Sequence, residues 1–428
     1  MVFVLFLVLQ LHKAFGTFGF DIHHRYSDPV KGTISDLHWL PQKGSIQYYS
    51  AWTQHDRHIN RHRYTSTVGL TPNHRRLTST VDLILLLLTF DRGNRTVLLS
   101  SLGFLHYAYV TVDTPGLSFL VALDTGSDLF WLPCNCNNCA RTLITGSGRP
   151  IDLNIYSPNT SSISKIVPCN GTLACGYGVA SLSNNTSSSG VLVEDILHLQ
   201  TGSTQQKVVE APITLGCGMK QTGAFLNGAA PNGLFGLGMG NISVPSILAS
   251  KGLAANSFSM CFGADGIGRI DFGDKGSPGQ GETPFNLKEP HQTYNISLTG
   301  ITVGNKETDV DFTAIFDSGT SFTYLNDPAY KVITENFNSQ AQEQHVQPTI
   351  PIPFEYCYGL RANQTSFKIR DVNLIMKGGN QVYCLAVVKS GDVNIIGQNF
   401  MTGYWVVFDR EKMVLGWKPS DCECIFLL

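Results

Sequence analysis

The hydrophobic pattern changes character partway along the chain. From Leu102 onward, short apolar runs such as Tyr107-Ala108-Tyr109-Val110-Thr111-Val112 and Phe119-Leu120-Val121-Ala122-Leu123 alternate with clusters of Gly, Pro, Asn and Ser. Runs of this length, bounded by turn formers, predict closely spaced strands. Helical periodicity is scarce. The best instance runs from Asp327 to Phe337, with Asp327 as N-cap and Pro328 at the first helical position. The body is therefore expected to be all-β. Residues 17–100 differ: they carry His, Arg and isolated aromatics with little period, and their one apolar run, Val81 to Phe90, is broken by Asp82.

The first residues, Met1 to Leu11, are almost wholly apolar, and Ala14-Phe15-Gly16 is a small-x-small sequence. Residues 1–16 are expected to be a signal peptide, too short to cross a bilayer as a helix. A buried N-terminal strand is the alternative. No other membrane segment is visible. At 428 residues, 43% hydrophobic and 14% charged, the chain is globular rather than disordered or fibrous. A net charge of −2 points to no nucleic-acid partner, yet it hides an asymmetry. Residues 1–106 hold 11 Lys/Arg against 6 Asp/Glu, while the remainder holds 19 against 26. A basic leader thus precedes an acidic body.

The 11 Cys residues include Cys134, Cys136 and Cys139, but no second pair completes a zinc site. Disulfides in an oxidising compartment are expected instead. Sequons at Asn94, Asn159, Asn170, Asn184, Asn185, Asn241, Asn295 and Asn363 are glycosylation candidates and favour the same secretory route. His55, His58 and His62 have helical spacing, but Arg57, Arg61 and Arg63 surround them and disfavour a cation. No metal site is expected.

The chemistry lies in a weak internal repeat. Val121-Ala122-Leu123-Asp124-Thr125-Gly126-Ser127 resembles Ala314-Ile315-Phe316-Asp317-Ser318-Gly319-Thr320-Ser321. The first copy is followed at a distance by Gly233-Leu234-Phe235-Gly236-Leu237-Gly238, the second by Val393-Asn394-Ile395-Ile396-Gly397. Two such halves imply two related β lobes. Two carboxylates brought within hydrogen-bond reach share one proton, so one can act as base towards water and the other as acid towards a carbonyl.

This pattern resembles the pepsin-like aspartic proteases, in particular their plant nepenthesin-like branch, from about Phe18 to Cys422. The resemblance implies a bilobal acid-protease fold with the active site in the cleft between the lobes. It implies Asp124 and Asp317 as the catalytic pair. Thr125 and Ser318 would cross-bond the two loops, Gly126 and Gly319 would make the turns, and Ser127 and Thr320 would bond the carboxylates. Leu123 and Phe316 would wall the site, and Gly236 and Gly397 would thread the supporting strands. Trp131, seven residues after Asp124, matches a Trp beside the active site, although a core Trp would be equally buried. Tyr404 to Asp409 and Leu415-Gly416-Trp417 look like closing C-lobe strands. Cys357 and Cys384 resemble the C-lobe disulfide, and Cys217 and Cys422 are a candidate link from lobe to tail.

The expected organisation is a signal at 1–16, a pro-segment at 17–104, an N-terminal lobe at 105–285 and a C-terminal lobe at 286–428. The basic stretch 17–104 would lie across an acidic cleft and leave on acidification. A solvated basic arm is the plainer reading of it. The family implies a peptide or protein substrate, no cofactor and a monomer, and no lipid-anchor tail is evident.

Departures concentrate at the flap, the hairpin that folds over the cleft in the family. Ser181 stands where the family has Tyr, and Tyr177 lies four residues earlier, about 13 Å away along a strand. Trp131 is then expected to lack its partner, with weaker catalysis or altered specificity. The Cys169–Cys175 region looks shortened, a hairpin before Tyr383-Cys384 looks skipped, and Asp113 replaces a turn Gly, which Asp tolerates. These features leave a second reading open: a catalytically impaired binding or inhibitor protein.

Overall fold

The computed structural model describes residues 6–11, 18–21, 87–99, 102–144, 150–169, 174–180, 186–202, 206–287, 292–304, 306–341, 343–346, 353–359, 372–377 and 380–422. The described body is built mainly of strands, with helices at Val244–Ser250, Ala329–Gln340 and Gln398–Met401. Apolar runs bounded by Gly and Asn cannot complete helical turns, and they pair instead.

The sequence repeat becomes a repeat of topology. In the N-terminal half, strand Leu105–Val112 pairs antiparallel with Leu117–Asp124. Strand Leu234–Gly236 then inserts beside Leu117–Asp124, parallel to it and antiparallel to Trp131–Asn138. In the C-terminal half, Asn295–Val303 pairs antiparallel with Lys306–Phe316. Ile395–Ile396 inserts parallel to that strand and antiparallel to Thr323–Leu325. Each Asp-bearing strand is thus locked between a hairpin neighbour and a strand that arrives much later in the chain.

The inserted strands need glycine for close approach. A methyl on Gly236 would sit 2.3 Å from the Asp128 carbonyl oxygen, and one on Gly397 would sit 2.1 Å from that of Phe322. These are the two glycines expected to thread the supporting strands.

The lobes are fused by a shared sheet. Ser257–Phe262 pairs with Tyr404–Asp409, which pairs with Val414–Pro419, which pairs with Gly281–Pro284. The closing strands near the C-terminus therefore join a sheet that is continuous with the N-terminal half. Phe258, Tyr294 and Phe408 stack at this seam, with ring centroids 4.6 to 6.1 Å apart.

Several sequence expectations change. The helix begins at Ala329 with Pro328 as its cap residue, so Asp327 is not the N-cap. The Asp327 carboxylate instead meets Lys389 Nζ at 2.9 Å. Cys217 does not pair with Cys422: the disulfides are Cys134–Cys217, Cys136–Cys139, Cys169–Cys175, Cys261–Cys422 and Cys357–Cys384. Val372–Lys377 pairs with Asn380–Leu385 in a hairpin that carries Tyr383 and Cys384. Asp113 takes φ +90°, as expected of a residue replacing a turn glycine.

The boundary drawn at residue 104 falls inside folded structure. Leu88–Phe90 pairs with Ser187–Thr201 and touches Ile267–Phe272, and Arg95–Leu99 pairs with both Leu105–Val112 and Ile267–Phe272. Phe90 is fully buried against Phe235 and Phe272. Further upstream, the apolar run Phe6–Leu11 pairs antiparallel with Asn295–Val303 on one side and with Phe18–Asp21 on the other. The leader His residues lie outside the described residues.

Candidate active site

The two Asp loops meet at the lobe interface and bond to each other almost symmetrically. Thr125 N donates to Ser318 Oγ at 3.1 Å, and Ser318 N donates to Thr125 Oγ1 at 2.9 Å. Each hydroxyl then donates across the interface, Thr125 Oγ1 to the Phe316 carbonyl (3.0 Å) and Ser318 Oγ to the Leu123 carbonyl (2.9 Å). Six buried polar groups are thereby satisfied by four bonds in a place water does not reach.

The carboxyls are held from outside in the same mirrored way. Ser127 Oγ donates to Asp124 Oδ2 at 2.5 Å and Gly126 N to Asp124 Oδ1 at 2.9 Å. Thr320 Oγ1 donates to Asp317 Oδ2 at 2.6 Å and Gly319 N to Asp317 Oδ1 at 2.8 Å. Both loops need glycine because each one lies against the opposite carboxyl. A methyl on Gly126 would sit 2.6 Å from Asp317 Oδ1, and one on Gly319 would sit 2.1 Å from Asp124 Oδ1.

Asp124 is 7% exposed and Asp317 5%. Burial raises the Asp124 pKa to about 8, with the neighbouring Asp317 charge adding to it. Burial raises Asp317 as well, against the stabilising bonds from Thr320 and Gly319. Each carboxyl disfavours the charge of the other, so the pair, rather than either Asp alone, holds a proton. Leu123 and Phe316, fully buried, line the strands beneath.

The flap side is built differently. Trp131 is fully buried, its ring 4.9 Å from Phe225. Its indole Nε1 has no hydrogen-bond partner among the described residues. Tyr177, on Gly176–Ala180, is 6% exposed, and its hydroxyl pairs with Ser188 Oγ at 2.9 Å. Its ring lies over Gly216, where a methyl would come within 2.7 Å of it. Tyr177 is a core residue of the hairpin base, which leaves it unable to serve as a cleft-facing flap residue. Ser181 lies outside the described residues.

Other sequence candidates divide by exposure. Asn159 and Asn241 are exposed. Asn94 spends its amide on Asp271, and Asn295 is 5% exposed and accepts from Asn286, which leaves no room for a glycan at Asn295. Asn170, Asn185 and Asn363 lie outside the described residues. Cys136–Cys139 is a disulfide, and among the described residues no group of three His, Cys, Asp or Glu could hold a metal. No described helix is long and apolar enough to cross a membrane. One contact escaped sequence reasoning: Ser321 Oγ donates to the Gly103 carbonyl. The only sequence signal was the Ser following Thr320.

Comparison with known proteins supplies the family context. The profile described as "Xylanase inhibitor N-terminal" matches residues 106–274, and "Xylanase inhibitor C-terminal" matches 293–419. Aspartyl protease family protein 1 of Arabidopsis thaliana is 53% identical over 97% of this chain and 83% of its own length. Aspartic proteinase-like protein 1 of the same plant is 37% identical over 98% of this chain and 85% of its own. Aspartic proteinase nepenthesin-1 of Nepenthes gracilis is 26% identical over 73% of this chain and 77% of its own. Among solved structures, lupine conglutin gamma matches with a TM-score of 0.58 at 20% identity, over 78% of this chain and 94% of its own. The basic 7S globulin of soybean matches at 0.57 and 20%, over 78% and 96%. These last two bear on the fold.

Proposed function

The chain belongs to the pepsin-like aspartic proteases, in the plant nepenthesin-like branch, and on that premise we propose that it is a secreted aspartic endopeptidase acting in acid. The carrying observation is the pair of buried carboxyls, Asp124 and Asp317, held by mirrored bonds.

A water held between the carboxyls gives a proton to Asp317 as its oxygen attacks the scissile carbonyl carbon. Asp124 delivers its proton to the carbonyl oxygen, forming a neutral gem-diol. Collapse of that intermediate breaks the C–N bond as the leaving nitrogen takes the proton from Asp317 and one gem-diol hydroxyl returns its proton to Asp124, so the dyad again holds one proton. No cofactor enters. Preorganised donors from Ser127, Gly126, Thr320 and Gly319 stop the carboxyls rotating out of line. The apolar N-terminus and the basic stretch after it would serve as targeting signal and pro-segment, with exposed Asn159 and Asn241 open to glycosylation.

The test is cleavage of an unfolded protein or a quenched peptide across pH 2–7, with and without pepstatin, a statine peptide that mimics the tetrahedral intermediate. Acid cleavage blocked by pepstatin supports the reading, and a folded, processed chain without activity removes it. The unpartnered Trp131 N–H beside the altered flap favours a second reading, a binding protein on a protease frame. Asp124→Ala separates the two: proteolysis vanishes in an enzyme, while partner binding survives in a binder.

A further inference from the structure

The stretch between leader and body is anchored in both lobes at once. Leu102 is buried in the cluster that contains Trp131, and its carbonyl accepts from Tyr107 Oη at 2.8 Å. The same phenol oxygen accepts from Ala230 N at 2.9 Å, so this anchor belongs to the N-terminal lobe. One residue on, the Gly103 carbonyl accepts from Ser321 Oγ, and Phe104 stacks on Phe322 at 6.2 Å with 20° between the rings. Phe322 packs edge-on against Phe354 at 4.9 Å, in a cluster of the C-terminal lobe. The crossing puts Gly103 at φ +75° and Phe104 at φ +53°, a conformation that an aromatic side chain takes only when its surroundings impose it.

Ser321 is fully buried and adjoins Thr320, whose hydroxyl holds Asp317. Its carbonyl accepts from Asn399 N at 3.1 Å. Ser321 is therefore gripped from the C-terminal lobe by its backbone and from the N-terminal chain by its hydroxyl. Upstream, Phe90 fills the space between Phe235 and Phe272, and Phe235 lies directly beside Leu123 in the sheet. Asn94 bonds Asp271, and Arg269 bonds Asn94 in return.

We propose that the Ser321–Gly103 contact is a positioning contact that fixes the Asp317 loop against the N-terminal lobe, and that Leu88–Phe104 stays in the working protein instead of leaving with the leader. This rests on the peptidase reading with a removable leader. Removal of residues 88–104 would strip two strands from the sheet and release Ser321 beside the dyad.

The test uses the full chain and Ser321→Ala. The hydroxyl holds the buried Gly103 carbonyl, so kcat should fall about 5–10-fold with KM within about twofold, and Ser321→Thr should recover most of the loss. Amide exchange should quicken both at 102–107 and at 317–322. Unchanged kcat, or exchange that changes only at 317–322, overturns the positioning role. After acid treatment, mass spectrometry should find residues 88–104 in the smallest folded species, and an active species that begins after Phe104 overturns the second claim. If the wild-type chain has no activity, the peptidase reading fails while exchange in the two segments still decides the contact.

Discussion

The floor and the roof of the cleft obey different rules in this molecule. The floor is a duplicated device: two Asp loops, each with its own hydroxyl and backbone donors, each bonded to the other through Thr125 and Ser318. Every polar group there has a partner, and the symmetry leaves little freedom to either carboxyl. The roof carries one orphan, the Trp131 N–H, and a tyrosine that has turned into the core. The difference suggests that the chemistry is preserved by mutual constraint between the lobes, whereas the covering hairpin is free to diverge. An unsatisfied buried N–H costs about 1–3 kcal/mol.

The comparison breaks first at the dyad. Asp124→Ala and Asp317→Ala should each lower kcat by about 10³-fold or more while leaving circular dichroism close to wild type. If one substitution is mild, the symmetry of the floor is structural only.

Next comes the cross-bonding. Thr125→Ala strands the Ser318 N–H and the Phe316 carbonyl, and Ser318→Ala strands the Thr125 N–H and the Leu123 carbonyl. Each should cost about 2–4 kcal/mol in denaturant unfolding, with Thr125→Ser far milder. A cost under about 0.5 kcal/mol would show that the loops are held by packing alone.

The pH dependence of stability sharpens the account. Asp124 has a raised folded pKa of about 8, so between its ordinary value and about 8 the native state binds a proton that the unfolded chain does not. Its contribution is present in acid and lost as pH rises. Asp124→Asn should remove that slope and stabilise the fold at pH 7 by about 1 kcal/mol or more, with little effect near pH 3. His106 works the other way. Burial lowers its pKa to about 3, so its contribution is present above its ordinary value of 6.5 and lost as pH falls towards 3. His106→Gln should therefore gain relative to wild type as pH falls below 6. Thermal scans of the three chains at pH 3, 5 and 7 separate the two slopes.

The smallest effect is at the roof. Ser181→Tyr restores the residue type that the family resemblance places at this position. It should raise kcat/KM by about 3–10-fold, the worth of one hydrogen bond. No gain in Ser181→Tyr, with wild type already active, would mean that Trp131 needs no partner.

Much of the floor was legible in the sequence because its rules are local. An Asp-Thr/Ser-Gly turn after an apolar strand declares itself within a few residues, and the repeat gives it twice. The late Gly236 and Gly397 could be placed because close approach admits no other residue. What stayed hidden depends on distant partners. Leu88–Phe90 is three residues long and owes its strand form to Thr201 and Phe272, far along the chain, so no local pattern announced it. Cys217 has apolar neighbours on both sides, and nothing local selects Cys134 over Cys422. Asp327 has the form of a cap, but Lys389 claims its carboxylate. Tyr177 could be read as a substitute flap residue until Gly216 showed where the ring rests.

The most direct test of the central claim is the pH–rate profile for cleavage of a quenched peptide by the processed chain. A dyad that works with one shared proton predicts activity in acid and its loss as pH rises and that proton leaves the pair. Activity that instead rises through neutral pH and persists above about 9 would contradict a shared-proton carboxyl pair as the catalyst.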